Sequence, residues 1–245
     1  MKLLVLTIFL FFVPQAYAEK VSIAVAANFF STLKLLTLDY KKYSSDRLLI
    51  SSASTGKHYA QIVNGAPFDI LLAADQSYTK ELEEQGKVVH DSRFVYAQGQ
   101  LVLWGRDADR KLTENSLHPQ SLKRLAIANP NTAPYGLAAK QTLEEYQLWT
   151  KMKAKIVKGE NIGQAFQFVA SGNAQLGFVA LSQVKNPANP FNKQYYWQVP
   201  EEAYIPIKQE AALLTRAVNN NGAIKFLRYL KSEKAKIIIQ KNGYL

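Results

Sequence analysis

The chain has 245 residues, 48% of them hydrophobic, enough for one large core or two modest ones. It contains no cysteine, which excludes disulfides, a thiolate metal site, a cysteine nucleophile and an N-terminal lipid on cysteine. The formal charge of +11 is spread along the chain, which suits a general attraction for anions better than a nucleic-acid stripe.

Met1-Lys2 is a short basic start, and Leu3–Val13 is apolar except for Thr7. Pro14 breaks the run, and Ala16-Tyr17-Ala18 reads as an A-x-A cleavage site before Glu19. Eleven apolar residues are too few to span a bilayer, so residues 1–18 are expected to be a cleaved signal peptide. Removing Lys2 leaves +10. The expectation is an exported protein, free in the periplasm of a two-membrane cell.

Val21–Val25 then reads as a buried parallel strand, and Phe29, Leu33 and Leu36 have helical spacing, with Asn28 as N-cap or first-turn residue. Arg47–Ser52 is a second strand, joined through Ser54-Thr55-Gly56 to a helix at about 57–63. Gly56-Lys57 lacks the upstream glycine and the following hydroxyl of a phosphate loop. Phe68–Ala73 is a third strand, and Gln76–Gln85 a helix closed by Gly86. Phe94–Trp104 is long enough to leave one lobe and enter another.

Leu125–Ala128 is a short strand before Ala133-Pro134-Tyr135-Gly136, with Pro134 suited to a first helical turn. Lys155–Val157, then Asn161-Ile162-Gly163 and a helix through Val169, repeat the pattern. Leu176–Ala180 is a buried strand, Asn186–Tyr196 a surface excursion, and Ile205–Thr215 a return crossing. Helices at 221–230 and 233–240 close the chain. Alternating strands and helices predict an α/β protein with parallel-rich mixed sheets, built as two lobes joined by two crossings. The expected lobes are 19–97 plus 206–245, and 98–205.

Ligands in such folds sit at the carboxyl ends of strands, here in the cleft between lobes. Four strand-to-helix turns stand there: Ala26-Ala27-Asn28, Ser54-Thr55-Gly56, Ala133–Gly136 and Asn161–Gly163. Singly, each is accounted for by capping a helix. Together they could offer roughly eight N–H and O–H donors to one small anion, from the free amides at each helix start. None contains a carboxylate; only Glu160 stands adjacent.

The segments AVAANF, SSASTGKHYAQIVNGAPFDILLAADQ, LAIANPNTAPYGLAA and GENIGQAFQFVASGNAQLGFVALSQV, with the closing NGYL, carry a resemblance. In order and spacing the chain resembles the periplasmic molybdate-binding proteins of ABC transporters, in the branch with ANF and FVAL motifs. The resemblance implies the two-lobed type II periplasmic binding fold. It implies capture of molybdate, and of tungstate, for delivery to a membrane permease. The implied contacts are Ala27 through its backbone, Asn28, Thr55, and the backbone N–H groups of Tyr135 and Ile162. One branch of that family has Ser at the position of Asn28 and Tyr at that of Ala180. The resemblance further implies a monomer with no cofactor, no catalytic residue, no cation ligand and no nucleic-acid partner.

The rival within binding proteins is another tetrahedral oxyanion, such as sulfate or chromate. An enzyme on the same fold, a tetrapyrrole-building deaminase, needs a cysteine for its cofactor, and a regulatory sensor needs room for a DNA-binding helix-turn-helix. His58, His90 and His118 have no metal-ligand spacing, and no nucleophile–base–orienter set can be assembled.

Overall fold

The computed structural model describes residues 18–109, 111–191 and 193–245. The expected leader lies outside the described residues, apart from Ala18. The first stretch comprises β1 (Lys20–Ala26), α1 (Phe30–Tyr40), β2 (Arg47–Ala53), α2 (Thr55–Val63), β3 (Ile70–Ala73), α3 (Ser77–Glu84) and β4 (Phe94–Gly99). The second comprises β5 (Leu101–Trp104), β6 (Leu125–Ala128), α4 (Pro134–Glu145), α5 (Trp149–Met152), β7 (Ile156–Gly159), α6 (Ile162–Ala170), β8 (Leu176–Ala180), α7 (Leu181–Val184) and β9 (Tyr196–Gln198). The chain returns through β10 (Ile207–Leu213) and ends in α8 (Asn221–Leu230) and α9 (Glu233–Lys241).

These strands form two five-stranded sheets, ordered β2-β1-β3-β10-β4 and β7-β6-β8-β5-β9. Each holds a parallel trio, β2-β1-β3 or β7-β6-β8, extended by two antiparallel neighbours. The two-lobed α/β architecture expected from the sequence is therefore present. Both faces of the first sheet are covered, as parallel strands require. Val21, Ile23 and Val25 of β1 point into one core with Phe29, Leu33, Leu36 and Phe226. Ala24 points the other way, to Ile62, Leu71 and Leu82. The second sheet has its own core around Trp104, Ile127, Leu143 and Phe178. Each buried Leu, Ile or Phe contributes about 1.5–3 kcal/mol of transfer free energy.

The expected single strand Phe94–Trp104 is in fact two strands in different sheets, broken at Gln100. Gln98 exchanges both backbone hydrogen bonds with Leu245 (2.9 and 3.0 Å), while the Gln100 carbonyl accepts the Leu181 N–H (3.0 Å). The backbone thus changes partners within two residues, and so changes sheet. The return crossing lies between β9 and β10. The register between β10 and β4 shifts between Gln209 and Glu210, a β-bulge whose extra residue is Tyr96 of β4. Gln209 and Glu210 are adjacent yet both buried, because both faces of this sheet are covered. Glu210 meets Arg93 there at 2.8 Å.

Asn28 is not the N-cap of α1. That position is held by Phe29, which has no capping side chain and whose ring packs on Tyr96 (centroids 4.7 Å) and Tyr244 (5.3 Å). Core burial at Phe29 outweighs a cap worth about 1 kcal/mol.

Candidate functional site

A small cavity lies between the two sheets, lined by Ala26, Ala27, Asn28, Ser54, Thr55, Ala74, Ala133, Pro134, Tyr135, Asn161 and Ile162. All four turns singled out in the sequence meet there. The cavity volume, taken as the space open to the centre of a water-sized sphere, is about 10 Å3. That is room for about one such sphere and its surroundings, an ion of a few atoms and not an organic solute. No side chain in the wall carries a charge. Glu160 is exposed to solvent.

Each turn presents its donors for a local reason. At the first, the Ala27 N–H is spent on the Ala53 carbonyl (2.9 Å) and Phe29 N–H on Ala26 (2.9 Å), which leaves the Asn28 N–H between them. At the second, Thr55 is the first residue of α2 and is buried. Its Oγ1 accepts the Ala74 N–H at 3.0 Å, so its own hydrogen is free to point elsewhere. At the third, Pro134 opens α4 without an N–H, and Ala133 accepts from Gly136 and Leu137 (2.8 and 3.0 Å). The Tyr135 N–H is thereby the first open donor of that helix. At the fourth, Asn161 caps α6 by accepting the Gln164 N–H (3.1 Å), which leaves the Ile162 N–H beside the cavity. Four helix starts of nine to twelve residues thus direct the positive ends of their dipoles at one point.

The two sheets are drawn together across this point. Gly56 N–H donates to the Thr132 carbonyl (2.9 Å), Tyr78 hydroxyl to the Asn131 carbonyl (3.3 Å), and Asn186 Nδ2 to Ser31 Oγ (3.0 Å). Behind the cavity wall lies a buried group of polar side chains. Asn28 Nδ2 contacts Gln209 Oε1 (2.9 Å) and the Tyr244 hydroxyl (3.2 Å), while Gln209 also touches Tyr96 (3.0 Å) and Tyr135 (3.3 Å). Burial pushes the Tyr96 and Tyr135 hydroxyls well above the usual tyrosine range, and Tyr244 up to about 12, so all three remain protonated donors near neutral pH.

A family model described as bacterial extracellular solute-binding protein matches residues 21–245. The chain belongs to that family. Among its relatives, the molybdate-binding protein ModA of Azotobacter vinelandii is 44% identical over 230 residues, covering 94% of this chain and 91% of the relative. The ModA of Rhodobacter capsulatus is 38% identical over 232 residues, covering 95% and 90%. A solved structure, the Azotobacter vinelandii periplasmic molybdate-binding protein, superimposes with a TM-score of 0.87 at 37% identity, covering 92% of this chain and 98% of that one.

In this solute-binding protein all five residues expected at the ligand, Ala27, Asn28, Thr55, Tyr135 and Ile162, line the one cavity. Ala180 does not; it is wholly buried, and its N–H donates to Gln183 Oε1 (3.0 Å). Sequence reasoning missed Ala74, at the end of β3, and the entire group behind Asn28. The run LLAAD holds a signal for the first, since a small residue at a strand's carboxyl end can stand beside a ligand. Among the described residues, no cluster of His, Asp or Glu could hold a metal ion and no helix is long and apolar enough to cross a membrane.

Proposed function

We propose that this solute-binding protein captures molybdate, and tungstate as well, between its two sheets and hands it to a membrane ABC permease. The observation that carries the reading is a cavity for one small ion, walled by four helix starts and free of charged side chains. Such a wall offers donors and dipoles but no carboxylate acceptor, which suits a tetrahedral dianion carrying no proton. In this assignment Asn28 and Thr55 donate through their side chains, Tyr135 and Ile162 through their N–H groups. Ala27 supplies wall and turn geometry, because its N–H serves Ala53.

Residues 19–97 with 206–245 form one lobe in this reading and residues 98–205 the other, except that Gln98 and Gly99 end β4 in the first sheet, and the two crossings are the hinge. The protein acts as a periplasmic monomer after loss of residues 1–18. In this reading it binds and releases its cargo unchanged, without a cofactor. Isothermal titration with molybdate, tungstate, sulfate and phosphate tests the reading. Tight binding of the first two supports it; heat only with sulfate would transfer the site to the rival oxyanion.

A further inference from the structure

The inference concerns the orientation of the Asn28 carboxamide and rests on the oxyanion reading above. Asn28 lines the cavity, and its Nδ2 is turned to Gln209 and Tyr244. Its Oδ1, buried, has no partner. An anion in the cavity calls for the reverse, a donor at the wall and the acceptor turned away.

Counting hydrogens shows that the neighbours call for the reverse as well. The Tyr96 hydroxyl has one hydrogen but lies against two acceptors, the Ala73 carbonyl (3.2 Å) and Gln209 Oε1 (3.0 Å). The Tyr135 hydroxyl accepts from Gln209 Nε2 (3.3 Å), which leaves its own hydrogen unspent. An amide exchanges its oxygen and nitrogen by a half-turn. If Asn28 and Gln209 both turn, Gln209 Nε2 donates to Asn28 Oδ1 and to the Tyr96 oxygen. The Tyr96 hydrogen then goes to Ala73 alone, and Tyr135 donates to Gln209 Oε1. Tyr244, which donates to the Asn28 carbonyl at 2.9 Å, turns its hydrogen to Asn28 Oδ1, and Ser182 Oγ (3.3 Å) is left to serve that carbonyl. Each of these partners is then satisfied, and Asn28 Nδ2, on a residue that lines the cavity, is left for the anion.

We propose that Gln209 is a positioning residue: it takes Asn28 Oδ1 as its acceptor and thereby fixes the Asn28 N–H toward the anion, making the wall donor-only. Its placement is built into the fold. Gln209 is fully buried on β10 beside the bulge of β4, whose extra residue, Tyr96, contacts its side chain. Gly99 leaves room for its partner, since a Cβ there would stand 2.1 Å from the Tyr135 hydroxyl. The Gln209 contacts also join Asn28, on the first sheet's turn, to Tyr135, on the second's, so the orientation is set where the two halves meet.

Gln209→Met and Gln209→Glu test this, with molybdate titrated from pH 5.5 to 8 and thermal melting recorded for each protein. Methionine keeps the bulk and removes both hydrogen-bonding atoms; an ionised glutamate can only accept, and so holds Asn28 Nδ2 away from the cavity. The expected result is a loss of molybdate affinity of about tenfold for Gln209→Met and more for Gln209→Glu at pH 8. As pH falls and the carboxyl gains a hydrogen to donate, Gln209→Glu should recover past Gln209→Met. In 15N-labelled protein, the side-chain amide signal absent from Asn28→Ala should shift with molybdate in the native protein and not in Gln209→Glu. Native-like molybdate affinity in a folded Gln209→Met would overturn the proposal while leaving the oxyanion site intact. Equal affinities of the two variants at pH 5.5 would overturn it too. A native protein that binds no molybdate would instead remove the reading beneath it.

Discussion

The backbone N–H of Gly56, in the first turn of α2, donates to the carbonyl of Thr132, in the turn between β6 and α4, at 2.9 Å. The bond closes the cleft beside the cavity, and it exists because residue 56 has no side chain. A Cβ on Gly56 would stand 2.8 Å from the Tyr78 hydroxyl and 3.0 Å from the Thr132 Cα and carbonyl oxygen. Gly56→Ala should therefore wedge the lobes apart. Small-angle scattering should show the native protein compacting on molybdate and the variant compacting less, with weaker binding. An unchanged native profile at saturating ligand would remove the hinge.

Asn28→Ala and Thr55→Ala should each weaken molybdate binding by roughly ten- to a hundredfold. Each removes a donor to a charged acceptor, worth about 1.5–3 kcal/mol. The two should differ in stability. Thr55 Oγ1 is the acceptor for the Ala74 N–H, so its loss also leaves a buried donor unpaired, at about 1–3 kcal/mol. Calorimetric titration and denaturant unfolding of the same samples separate the two costs. Side-chain changes at Ile162 should leave affinity nearly intact, because only its N–H is used.

Anion preference should run molybdate close to tungstate, then sulfate far weaker, then phosphate undetectable. Phosphate near neutral pH keeps a proton, and burying that proton without an acceptor costs about 1–3 kcal/mol. Sulfate avoids this cost but, being smaller, makes longer bonds to donors spaced for the metal oxyanions. Competition titrations against bound molybdate give the order directly. Tight phosphate binding at pH 7 would reveal an acceptor in the wall and displace the molybdate assignment.

The carboxyl of Asp75, next to Ala74, is raised to about 6, chiefly by burial and further by the charge of Glu210, against hydrogen bonds from Tyr78 and Ser77 that lower it. A raised acid favours the folded state when protonated. Its contribution is present below about pH 4 and is lost as pH rises to about 6. Asp75→Asn should remove that slope, so the stability difference between variant and native protein should grow from pH 4 to 6 and then level off. The ceiling is about 3 kcal/mol, two pH units at about 1.4 kcal/mol each. Urea unfolding at a series of pH values measures it; parallel curves would show that Asp75 is not raised.

The fold and the cavity wall were legible in the sequence because both depend on local signals. Small polar residues after buried strands mark helix starts, as Asn161 does by capping α6 after β7. Pro134 marks another by its missing N–H. Asn28 looked like one more cap but is not, because Phe29 beside it is drawn into the core. Gln209 was not legible at all. In KQEAALL two adjacent polar residues look like an exposed stretch, yet both are buried because this sheet is covered on both faces, Gln209 against Asn28 and Tyr96 and Glu210 against Arg93. The break at Gln100 was hidden for a like reason, since the partners that divide β4 from β5, Leu245 and Leu181, lie far along the chain.

The uncharged wall bears on how cargo is given up. Peptide dipoles neither titrate nor exchange counter-ions, and the protonated tyrosines behind them stay so through the physiological range. Acidity and ionic strength therefore offer little leverage over a held ion. Unloading has to be mechanical: a permease that pries Gly56 from Thr132 parts the donors of one sheet from those of the other, and half a ring of dipoles no longer outcompetes water.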